Sequence, residues 1–101
     1  MGSIVLREAD RVEITVLVDN YTDLLLIQST DVVKRAIVRP PDALLAEHGF
    51  SCLIKVYADS ERHAVLLDAG ITTKSLFHNA DVLNVNLNEV ESVVLSPTFR
   101  A

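Results

Sequence analysis

The stretch Cys52-Leu53-Ile54-Lys55-Val56-Tyr57-Ala58-Asp59-Ser60-Glu61-Arg62-His63-Ala64-Val65-Leu66-Leu67-Asp68-Ala69-Gly70 decides the fold. Cys52, Ile54, Val56 and Ala58 alternate with Leu53, Lys55 and Tyr57, and period two among strand-forming residues marks a β-strand. The polar run Asp59–Arg62 reads as a turn, and Ala64–Asp68 returns as a second apolar strand, so the unit is a β-hairpin. Asp68-Ala69-Gly70 ends it sharply.

Upstream, Val12, Ile14, Val16 and Val18 alternate with Arg11, Glu13, Thr15 and Leu17, which predicts another strand. It stops at Asp19-Asn20, residues that favour turns by bonding their own backbone. Leu24–Ile27 fits a strand or a helical turn, and residues 28–39 read ambiguously until Pro40-Pro41 breaks them. Pro41–Gly49 predicts a short helix, with proline near its start, an acid in the first turn and glycine just past its end. Downstream of the hairpin, Thr72 or Thr73 can cap a helix that carries Leu76, Phe77, Ala80 and Leu83 on one face. A loop through Asn84, Asn86 and Asn88 leads to a last short strand over Val90–Leu95, ended by Pro97. The pattern is a mixed α/β (α+β) chain without internal repeats.

With 101 residues the chain has room for one domain. Its 14 Val, 14 Leu and 6 Ile make up about a third of it, which excludes disorder. A single cysteine, Cys52, excludes an internal disulfide and points to a reduced, cytoplasmic setting. A net charge of −5 with scattered basic residues argues against nucleic-acid binding. No apolar run approaches the roughly 18 residues of a membrane span, and the N-terminus lacks the pattern of a signal peptide.

The titratable residues are sparse. His48, His63 and His78 are not spaced as a zinc site, and His63 at the hairpin reads as a solvated surface residue. His48 falls in the Glu47-His48-Gly49 turn before a core strand, where binding groups gather. A helix C-terminus also attracts histidine for dipole reasons alone. Cys52 alternates onto the apolar side, as a buried structural thiol would. Asp68, at the rim of a sheet, either orients a neighbouring metal ligand or closes the strand as an Asx-turn.

The ordered set Val18-Asp19-Asn20, Leu45-Ala46-Glu47-His48-Gly49-Phe50-Ser51, Val65-Leu66-Leu67-Asp68-Ala69-Gly70, His78-Asn79-Ala80 and Glu91-Ser92-Val93-Val94-Leu95-Ser96 resembles the metallo-β-lactamase superfamily. More narrowly it is similar to the branch of metal-dependent hydrolases that includes dihydropterin-type phosphate synthases. The resemblance spans roughly residues 11–96. It implies a partial metallo-β-lactamase-like sheet with one or two covering helices, half of an αββα sandwich, over a single truncated domain 1–101. It also implies that Asp68, His48, Glu47, Asp19 and Asn20 lie in or beside the cleft as supporting residues.

In that family the Leu-Ser of the final strand leads into His-x-His-x-Asp-His, which holds two metal ions, usually zinc, that activate water. Here residues 97–101 form an atypical tail, with Pro97, Phe99 and Ala101 at the places of the two histidines and the aspartate. None of these side chains can ligate a metal, so no catalytic residue, metal ligand or cofactor is expected in this chain. An engineered boundary, a shifted reading frame and a natural remnant would all produce such a tail. The chain then reads as an N-terminal fragment of a metallohydrolase, inactive alone. The alternative is a small non-catalytic α/β interaction module, and an enzyme completed by a neighbouring subunit is a third reading. Half a sandwich leaves one aliphatic sheet face without its cover, so a homo-oligomer through that face is expected.

Overall fold

The computed structural model describes residues 8–96; the expected tail at 97–101 and the N-terminal residues 1–7 lie outside the described residues. Four strands form one mixed sheet in the order β1-β2-β3-β4, namely β1 (Arg11–Val18), β2 (Ser51–Ala58), β3 (Glu61–Leu67) and β4 (Ser92–Val94). One α-helix, α1 (Lys74–Val82), and a 3-10 turn (Leu87–Glu89) lie between β3 and β4. The class is α+β.

The hairpin forms as its alternation requires, with Ile54 opposite Val65 and Tyr57 opposite Arg62. Its loop is only Asp59-Ser60, because Asp59 adopts the left-handed φ of 55° that a two-residue turn needs. β1 pairs antiparallel with β2, Ile14 opposite Ile54, until a bulge between Val16 and Val18. β4 joins β3 in parallel, Leu66 opposite Val93, a pairing that only a crossover connection such as α1 permits.

Register sorts the sheet into two faces. Leu53 and Leu66 share one face with Thr15, Lys55 and Ala64. Leu76 and Ala80 of α1 pack there, burying Leu17, Val18, Leu53, Ala64 and Leu66. Lys55 and Arg62, both paired to Glu89, finish that side with charge. The opposite face carries Val12, Ile14, Val16, Cys52, Ile54, Val56, Val65, Leu67 and Val94. Among the described residues no helix packs on it, although the small Cys52 at its end is buried and Ile54, Val56, Val65 and Leu67 at its centre are half-buried. Val12 is 51% exposed, Ile14 64%, Val16 51% and Val94 51%, against 1% for Leu53.

Three expectations need correction, and the open reading at Leu24–Ile27 resolves to a turn. Pro41–Gly49 is not helical. Its backbone bonds go elsewhere: the Leu45 N–H and carbonyl pair with the Asn79 side chain, and the Glu47 N–H donates to the Asp19 carbonyl. A helix this short is marginal without packing, so tertiary partners win. Leu24–Ile27 is an exposed turn, headed by Asp23, whose side chain takes the Leu25 N–H and whose carbonyl takes that of Leu26. The last strand runs only over Ser92–Val94. Phe77 points outward at 62% exposure, since Leu76, Asn79 and Ala80 define the inner stripe of α1.

Candidate functional site

The C-terminal ends of β1 and β3, the start of β2 and the residues after β4 meet at one end of the sheet. A cleft of about 350 Å³ opens there, lined by Asp19, Asn20, His48, Gly49, Phe50, Asp68, Gly70, Ile71 and Ser96. Four of the five residues singled out by the resemblance therefore share one cleft. The fifth, Glu47, lies beside it and reaches the N-terminus of α1. These residues are up to about fifty positions apart in the chain, and only the fold joins them.

Each carboxylate is engaged in holding backbone. Asp68, left-handed at φ 56°, accepts from the Ser96 N–H and the Ser96 hydroxyl, both at 2.7 Å. These bonds, the hydroxyl first, hold its carboxyl below the usual aspartate range. The Asp68 N–H donates to the Val94 carbonyl, and the Ser51 hydroxyl donates to the Asp68 carbonyl. Asp68 thus ties β2, β3 and the chain after β4 together. Its carboxylate makes no Asx-turn with the residues that follow it, since the Gly70 N–H goes to the Phe50 carbonyl, and instead holds the segment beyond β4 in place.

Glu47 accepts from the Ile71 N–H at 2.7 Å, the Thr72 N–H at 3.0 Å and the Thr72 hydroxyl at 2.9 Å. The Ser75 hydroxyl, then the Thr72 N–H, bring its pKa down to about 2. A carboxylate at the donor-rich start of a helix is stabilised by the unpaired N–H groups and by the dipole. Thr72, not Thr73, provides the local cap, its hydroxyl accepting the Lys74 N–H. Gly49 and Gly70 make the cleft floor possible: a Cβ on Gly49 would sit 3.0 Å from the Ile71 nitrogen, and Gly70 needs its φ of 73°. Asp19 turns its carboxylate onto the Asn20 N–H, and His48 is exposed at the rim.

Asn79 was not expected in any role, although it falls inside the apolar stripe of α1. It is 2% exposed, its Nδ2 donates to the Leu17 and Leu45 carbonyls, and its Oδ1 accepts the Leu45 N–H. This staple holds the 43–47 segment against the end of β1 and so places Glu47 and His48. An amide at an otherwise apolar stripe position was the available signal. Cys52 is buried, and burial, then the Asp68 charge, pushes its thiol up, as befits an unreactive core residue.

The other two histidines serve elsewhere. His63 faces Glu91 at 2.9 Å and Glu61 at 3.3 Å, and these hydrogen bonds raise its pKa. His78 Nε2 donates to the Ala43 carbonyl. Among the described residues no group of three or more His, Cys, Asp and Glu side chains is placed to hold a metal. With Asp68 saturated by Ser96 and one histidine at the rim, the described residues do not fit a two-metal centre. No helix among them is long and apolar enough to cross a membrane. Comparison with protein-family models, curated proteins and solved structures finds no match to this chain.

Proposed function

We propose that the chain is a cytoplasmic, non-catalytic sheet layer of the metallo-β-lactamase type, with Pro97, Phe99 and Ala101 at the places of that family's metal ligands. The carrying observation is the convergence of Asp19, Asn20, His48 and Asp68 in one cleft at the end of a sheet with one uncovered face. A metal site at a sheet end needs strand-end groups to hold the ligand-bearing segment, and Asp68 does this to Ser96, the residue before the place of the family's first ligand. One aliphatic sheet face opposite a helix-covered one is what a sandwich layer requires. The test is metal analysis with a hydrolysis assay on the purified chain. Dialysed protein should hold far less than stoichiometric zinc and hydrolyse neither phosphodiesters nor lactams above background. Stoichiometric zinc surviving dialysis would overturn the reading.

The open face also favours a second reading, a self-contained α+β module that works by association alone. Equal cooperativity of folding with and without a complementing fragment that carries the second sheet would favour it.

A further inference from the structure

We infer that His63 and Glu91 form a pH-sensitive latch: with the imidazole charged they hold the start of β4 against β3, and with the imidazole neutral β4 and the chain up to Ser96 loosen. The latch belongs to the fold and does not depend on the hydrolase reading.

β4 is held differently from the other strands. Its three residues, Ser92–Val94, are all exposed, so its side chains bury little and its hold on β3 is backbone and charge. At its start the Glu91 N–H donates to the Ala64 carbonyl, and the Glu91 carboxylate meets His63 Nδ1 at 2.9 Å. At its far end the Asp68 N–H donates to the Val94 carbonyl, and the Asp68 carboxylate in turn holds Ser96. β4 is thus pinned at two points. Only the first includes a side chain that titrates near neutral pH, the imidazole.

The first pin needs a charged ring. His63 lies between two carboxylates, Glu91 at Nδ1 and Glu61 at Nε2, the latter 3.3 Å away. An imidazolium donates from both nitrogens, whereas a neutral ring has one N–H and turns a lone pair toward the other carboxylate. The two acids then face each other across an uncharged ring. Among the described residues no cation of the adjoining elements replaces the charge. β2 sets Val56 opposite His63, and Val12 of β1 lies beyond it. Lys55 and Arg62 lie on the α1 side with Glu89 of the 3-10 turn. Arg11 is on that side too, paired with Glu13 and lying over the Tyr57 ring. At the hairpin tip Asp10 adds a further acid, which accepts the Asp59 N–H. The hydrogen bond to Glu91, then that to Glu61, raise the His63 pKa. The latch is therefore closed below pH 6.5 and opens as pH rises through the folded pKa.

Amide hydrogen exchange of the full chain, read by NMR as protection factors from about pH 5.5 to about pH 8.5, spans the range in which histidine changes charge. The Glu91 and Asp68 amides, which are bonded only while β4 is docked, should lose about two- to fivefold of their protection across that range, the size of an exposed ion pair. The Ser96 amide signal, set by its bond to the Asp68 carboxylate, should move with the same midpoint. That midpoint should coincide with the His63 titration followed in the same sample. The Leu45 amide, bonded to Asn79 away from β4, should keep its protection. His63→Gln cannot take up charge, so it should hold the Glu91 and Asp68 amides at their high-pH protection throughout. If that variant fails to fold, the coincidence of the two midpoints in wild type decides the matter. Constant protection through the His63 titration, an equal loss at Leu45, or an unchanged pH dependence in His63→Gln would each overturn the inference.

Discussion

Replacing Asn79 by alanine should be among the most damaging single changes outside the aliphatic core. Three bonds disappear at once: the two amide donations, to Leu17 and Leu45, and the acceptance of the Leu45 N–H. The three losses are not equal. Leu17 is 2% exposed, so water cannot reach its abandoned carbonyl, and an orphaned buried acceptor costs about 1–3 kcal/mol. Leu45 is exposed and its peptide groups can rehydrate, so each of its bonds contributes the ordinary net of about 0.5–1.5 kcal/mol. The total is about 4 kcal/mol, a large fraction of the roughly 5–15 kcal/mol of a typical domain. In a domain of this size that lowers the melting midpoint by about 15 °C or more. Asn79→Asp should fare no better, because a carboxylate keeps the acceptor but cannot donate to either carbonyl. Urea unfolding followed by circular dichroism gives the free energy, and hydrogen exchange at the Leu45 amide reports the staple itself. A loss under about 1 kcal/mol would refute the reasoning. So would a Leu45 amide that exchanges freely in the wild type.

Glu47 makes the chain acid-sensitive in a defined window. Its folded pKa is about 2 against an ordinary 4.5, so its stabilising effect is complete above pH 4.5 and is lost as pH falls toward 2. Glu47→Gln should flatten the melting-temperature profile over that interval, as differential scanning calorimetry would show. Gly70→Ala should destabilise by about 1–2 kcal/mol, because a Cβ is strained at positive φ. It would also sit 3.1 Å from the Glu47 carboxylate oxygen and displace it from the Ile71 N–H, a shift visible in amide spectra. His63, raised above 6.5 by Glu91 and Glu61, has the opposite sign. Its contribution is complete below pH 6.5 and fades as pH rises through the folded pKa. An NMR titration should find that pKa elevated, and Glu91→Gln should bring it back down.

The hairpin was legible because Ile54, Val56 and Val65 carry period two up to a polar turn, and nothing distant competes with that pattern. α1 was legible for the same local reason, through Leu76 and Ala80. The 41–49 segment was not. Its proline, acid and glycine cues are those of a helix, but the Leu45 N–H and carbonyl are taken by the side chain of Asn79, 34 positions away in sequence. The two sheet faces were equally opaque. Leu53 and Leu66 are as aliphatic as Ile54 and Val65, so the alternation in β2 and β3 does not say which side α1 takes. Which face α1 takes depends on Leu17, Val18 and the bulge at the end of β1, a tertiary fact. Asp68 and His48 could be named from the turns they occupy, whereas Ser96 as the holder of Asp68 depends on β4 pairing in parallel with β3.

The asymmetry between the faces underlies both functional proposals, and a soluble paramagnetic probe measures it directly. At concentrations low enough to keep the chain monomeric, methyl signals of Val12, Ile14, Val16 and Val94 should broaden strongly. Those of Leu53, Ala64, Leu66 and Leu76 should stay sharp. Equal protection of both sets under those conditions would mean that the chain already covers its own sheet, and would contradict the account.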